Sequence, residues 1–139
     1  MQAKTHSSLL AHIILNGTPK PARIKQKRTG QIYNSRTIHM TACKWKIKLQ
    51  YRDDPYSGPV RIDYFFGFPI PKSWSEEQKE LAAHEGIPHT VRPDYDNLKK
   101  LCNDCIKGII VSDDAQMCSG EWRKEYTTTP RTEIWIYYK

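Results

Sequence analysis

Arg92-Pro93-Asp94-Tyr95-Asp96-Asn97-Leu98-Lys99-Lys100 decides how this chain is read, because here an extended segment turns into a helix. Leu98, Leu101, Cys102, Cys105, Ile106 and Ile109 fall at offsets 0, 3, 4, 7, 8 and 11, the apolar stripe of an amphipathic helix. Pro93 biases Arg92 toward extended backbone, and Gly108 ends the pattern, so the helix spans about 97–107. Upstream, Val60, Ile62, Tyr64, Phe66 and Phe68 alternate along a strand closed by Pro69 and Pro71. Downstream, Met117–Tyr126 and Arg131–Tyr138 read as a closing antiparallel pair joined through Thr127–Pro130. Ile134, Ile136 and Tyr138 share one face of it, and Trp135 and Tyr137 the other.

Further out, Leu9–Leu15 is a short apolar strand, followed by a Gly- and Pro-containing loop from Asn16 to Arg36. Thr37–Tyr51 fits two periods. Ile38, Ala42, Trp45 and Leu49 make a helix face, while Trp45, Ile47, Leu49 and Tyr51 alternate with polar residues as a strand would. Asp53–Pro59 is a turn by composition. Ser73 and Glu76 have capping-box spacing and Gly86 suits a C′ position, which predicts a helix over 74–85. The expectation is a single α+β domain over 1–139: a small mixed sheet, two to three helices and a C-terminal antiparallel hairpin. No apolar run approaches the ~18 residues of a membrane span. No signal-peptide pattern is present, so a cytoplasmic protein without membrane contact is expected.

The 139 residues carry a net charge of +7 and a mean hydropathy of −0.72. The charge is unevenly placed. Residues 1–52 hold eleven Lys or Arg and no acid, whereas all fifteen Asp and Glu lie downstream. A long basic segment points to a polyanion such as nucleic acid. Lys20, Arg23, Lys25, Lys27 and Arg28, in the 16–36 loop, are the candidate DNA contacts. Cys43, Cys102, Cys105 and Cys118 are expected to be free thiols. Cys102 and Cys105 form a C-x-x-C, but they sit inside the apolar stripe and no second pair completes a zinc site, so they are small core residues.

The acids around the central helix carry the chemistry. Asp94 and Asp96 are expected on the extended lead-in, where residues i and i+2 share a side and can converge on one hard cation. Mg²⁺ suits such a site, because it takes one or two carboxylates and fills the rest with water and phosphate. Asp113 and Asp114 lie beyond the other end of the helix and could supply a third carboxylate. At ~100° per helical residue, Lys100 lies about 40° from Asp96, on the same face and away from the apolar stripe. Lys99 lies about 60° away on the other side. A lysine beside a metal and a phosphate neutralises charge in the transition state. The competing reading is a basic nucleic-acid-binding protein without catalysis, its acids serving as caps and turns.

Arg92-Pro93-Asp94-Tyr95-Asp96-Asn97-Leu98-Lys99-Lys100, Lys107-Gly108 and Asp113-Asp114-Ala115-Gln116 together resemble the RusA family of Holliday junction resolvases, found in bacteria, phages and prophages. The family pattern is P-D-x-D-N-L-x-K, an amphipathic helix ending near Gly, then D-D-x-Q. The resemblance implies a homodimeric endonuclease, dependent on Mg²⁺ with Mn²⁺ as an alternative ion. It would resolve four-way DNA junctions by paired nicks. It also implies that Asp94, Asp96 and Asp114 are the catalytic metal-binding acids, and Lys100 the required lysine. It favours helix over strand for 37–51. Lys107 departs from the Asn of many relatives, and the segment around Trp74–Gly86 is variable in the family.

Overall fold

A computed structural model describes residues 8–22 and 35–139. Strand β1 (Leu9–Asn16) is followed by helix α1 (Ser35–Gln50), strand β2 (Val60–Pro69), helix α2 (Glu76–His84) and the short strand β3 (Ile87–Pro88). Helix α3 (Tyr95–Ile106), a 3₁₀ turn at Asp114–Gln116 and strands β4 (Met117–Ser119), β5 (Trp122–Thr127) and β6 (Arg131–Tyr138) complete the order. The sheet runs β1-β6-β2-β5-β3, with β4 also on β2. The architecture is α+β with a mixed sheet, as the patterning predicts.

Two closing strands are present and run antiparallel, but they do not pair with each other. β2 lies between them, parallel to β5 and antiparallel to β6. Apolar burial explains the insertion, since β2 alone supplies five inward side chains, Val60, Ile62, Tyr64, Phe66 and Phe68. The expected strand 117–126 is also broken. Gly120 has φ +150°, and a Cβ there would collide with the Ile62 carbonyl oxygen, so β4 ends and β5 restarts farther along β2.

α1 is helical, with a different buried face from the one expected. Cys43, Ile47 and Tyr51 point inward at i, i+4 and i+8, while Ile38, Trp45 and Leu49 are 60–63 % exposed. The Gln50 side chain holds the end of α1 to the outer edge of β1, accepting from Ile14 N–H and donating to Ile14 C=O, both at 2.8 Å. The cap of α2 is Ser75 rather than Ser73, closing a capping box with Gln78. Ser75 is extended and one turn ahead of Gln78, so its oxygen meets the free Gln78 N–H.

The core lies between the sheet and the pair α1 and α3. Ile13, Ile47, Phe66, Leu98, Ile106, Ile134 and Ile136 are fully buried. Cys102 and Cys105 join this core from α3, with Cys43 opposite. All four cysteines are free. The hydrogen bond with Cys43 and burial push the Cys105 thiol far up, and burial does the same for Cys102. These thiols are inert packing groups. The other sheet face carries ion pairs, with Glu133 bridging His12 and Arg131 and the Arg123 and Arg131 guanidinia lying over Phe65. No described helix is long and apolar enough to cross a membrane.

Candidate active site

The α3 N-terminus is built from a segment that runs along the outer edge of β5. His89 N–H donates to Lys124 C=O at 2.9 Å, continuing the β3 pairing. The Lys124 ammonium then donates to Pro93 C=O at 2.7 Å and Val91 C=O at 3.0 Å. Burial lowers the Lys124 pKa, and the nearby Asp94 carboxylate opposes that shift. Lys124 therefore fixes the two carbonyls that lead into Asp94. Nothing in the local spacing of 92–100 points to it, since it belongs to another strand.

Asp94 and Asp96 do not share an extended lead-in. Asp94 is the extended N-cap residue and Asp96 lies inside the first helical turn. The helix starts earlier than its apolar stripe because Leu98 N–H already bonds the Asp94 carbonyl at 3.2 Å. The Asp94 side chain makes no capping bond, although N-cap aspartates commonly do. Its exposed carboxylate is therefore not committed to the helix end.

Asp96, Lys99, Lys100, Asn103, Asp104 and Asp114 line one open cavity of about 200 Å³. Asp96, Lys100 and Asp104 are spaced by four, so one face of α3 supplies all three. Asp104 is a further carboxylate there, and this spacing is the signal that identifies it. Lys100 lies 4.0 Å from Asp104, while the Lys99 ammonium sits 5.6 Å from the Tyr95 ring centroid. Asn103 accepts a hydrogen bond from the Tyr64 hydroxyl. Asp94 stands outside the cavity lining.

Asp114 arrives on the 3₁₀ turn, and Asp113 and Gln116 hold that turn. Asp113 caps it, accepting from Ala115 N–H at 3.2 Å, and lies 3.9 Å from the Lys107 ammonium. A hydrogen bond with the Asp114 carboxyl, the Ala115 N–H and Lys107 hold the Asp113 pKa below its usual value. The Gln116 side chain accepts from Asp113 N–H and donates to the carbonyls of Tyr56 and Gly58, all at 2.7 Å. Asp113 is thus the structural member of the acidic pair, and Asp114 faces the cavity.

Among the described residues, no three His, Cys, Asp or Glu side chains are gathered closely enough to form a ready cation site. The donor set nevertheless fits a hard cation. The cavity offers Asp96, Asp104 and Asp114 oxygens, no thiol and no imidazole, and it is open to water and phosphate.

Of the expected DNA contacts, Lys20 is exposed beside the first turn after β1, and Arg23, Lys25, Lys27 and Arg28 lie outside the described residues. Ala22, the last described residue before them, is buried and donates from its N–H to the Asn97 carbonyl at 3.0 Å.

No curated protein matches the chain. The family model for the endodeoxyribonuclease RusA matches residues 16–137, a span that takes in the cavity acids, Lys100, Lys124 and every strand except β1, of which only Asn16 is included, with Tyr138 of β6 also outside. The chain belongs to the RusA endodeoxyribonuclease family.

Proposed function

We propose that this chain resolves four-way DNA junctions by hydrolysing opposed phosphodiesters, with Mg²⁺ or Mn²⁺ as cofactor and a homodimer as the working unit. The observation that carries the reading is the shared cavity of Asp96, Lys100 and Asp114, in a chain of an endodeoxyribonuclease family. Asp96 and Asp114 would hold the ion from the cavity walls, and Asp94 would join from the helix cap. A bound divalent cation supplies positive charge to the scissile phosphate. Lys100 places its ammonium against the charge that develops on the phosphoryl oxygens as water attacks and the P–O bond breaks. Asp104, 4.0 Å from Lys100, orients that ammonium.

Lys20, Arg23, Lys25, Lys27 and Arg28 would follow the DNA backbone beside the cavity. Two identical chains related by a two-fold axis match the two-fold symmetry of a junction and account for paired nicks from one site per chain. The four free thiols suit a reducing cytoplasm. Cleavage of an end-labelled four-way junction, with Mg²⁺ and with EDTA, tests the reading. Symmetric nicks that need the metal are expected. A protein that binds the junction and never cuts it would instead be a basic DNA-binding module.

A further inference from the structure

Tyr95, between Asp94 and Asp96, lies flat on Trp122 with ring centroids 3.9 Å apart and planes within 5°. Tyr95 is backed in turn by Phe66, edge-on at 6.2 Å in the core. Trp122 opens β5 and still keeps 45 % of its surface exposed. One face of the indole is thus covered by Tyr95, the residue between Asp94 and Asp96, and part of the rest is open. What sets Trp122 apart from Trp45, which is 63 % exposed, is the ring that backs it, since Tyr95 holds the indole flat from behind.

We propose that Trp122, supported from behind by Tyr95, is a stacking site for an unpaired nucleobase of branched DNA. The site rests on the nuclease reading for its substrate, and it adds to that reading how branched DNA is told from plain duplex. A base in continuous duplex is already stacked on both sides. At a strand-exchange point a base can leave the stack at the least cost. Aromatic rings accept any base, since every base has a π-face. The Lys99 ammonium, 5.6 Å from the centroid of the Tyr95 ring, adds a positive charge to the same aromatic cluster. Holding that base would draw its neighbouring phosphate toward Asp96 and Asp114.

The test is binding without cleavage. Intrinsic tryptophan emission and affinity are read in EDTA, with a four-way junction and a linear duplex of equal length. Wild-type emission should be quenched more by the junction than by the duplex. Equal quenching would overturn the proposal without any variant being needed. Trp122→Leu should weaken junction binding roughly 5- to 100-fold, the range for one stacked base, lose most of the quench, and leave duplex binding within about twofold. Trp122→Tyr should bind close to wild type. Trp45, 63 % exposed on α1, is the control, and Trp45→Leu should keep the quench. Unchanged junction binding by Trp122→Leu, or equal loss on both DNAs, would contradict the site. Failure of the metal site would show separately, as Asp96→Asn or Asp114→Asn cutting at the parental rate.

Discussion

Lys99 and Lys100 are neighbours of identical chemistry with different partners. Both line the cavity, but the Lys99 ammonium stands over the Tyr95 ring, whereas Lys100 lies 4.0 Å from Asp104 on the helix face that also carries Asp96. Lys100→Ala should therefore cut single-turnover cleavage by about 10²–10³-fold, the usual loss for one charge-stabilising donor. Lys99→Ala should cost less than about tenfold. Saturating protein removes any effect of affinity, and equal losses would place the wrong lysine at the phosphate. Lys124 acts through the backbone. Lys124→Met removes the bonds to Val91 and Pro93 and should destabilise the fold by about 1–3 kcal/mol. It should also lower kcat with little change in junction Kd, and Lys124→Arg should restore part of the rate. Of these residues, Asp104 went unread in the sequence, although Asp96, Lys100 and Asp104 repeat every four positions on one helix. Lys124 was not legible, because only the pairing of 89 with 124 brings it beneath Pro93.

Helix α1 shows why periodicity alone is insufficient at the level of elements. Its most apolar face by composition holds Trp45 and Leu49, yet packing buries Cys43 and Ile47. Ile47→Ala should cost about 2–5 kcal/mol, as buried Ile truncations do. Leu49→Ala should stay within about 0.5 kcal/mol. Urea unfolding of the two variants checks this, and similar losses would reverse the face of the helix. The alternation of β2 and β6 was readable because each strand buries one face. Their arrangement was not, since residues joined by a short turn usually pair, and only the side-chain demand of β2 inserts it between β5 and β6. The start of α3 was misplaced for a related reason. The apolar stripe begins at Leu98, whereas backbone bonding begins at Asp94, so Asp96 moved from a lead-in to a helical turn.

The whole molecule joins a sheet that fixes geometry to a basic segment that we propose meets the DNA backbone. Ala22 N–H bonds the Asn97 carbonyl on α3, and Lys25, Lys27 and Arg28 follow Ala22 in sequence. Replacing these three with Ala should weaken junction and duplex binding alike. The slope of log affinity against log salt should flatten by ~0.9 for each phosphate that is no longer neutralised. Binding titrations across a salt series read this directly, and an unchanged slope would move the DNA to another surface.

The account stands most directly on Asp114, the carboxylate that the 3₁₀ turn delivers to the helix face. Asp114→Asn keeps the shape and removes the charge that would hold a divalent ion. Its single-turnover rate on a four-way junction in Mg²⁺, measured beside its junction Kd, is the deciding measurement. The account predicts a loss of at least about 10²-fold in rate with binding equal to or tighter than wild type. Cleavage at the parental rate would contradict it.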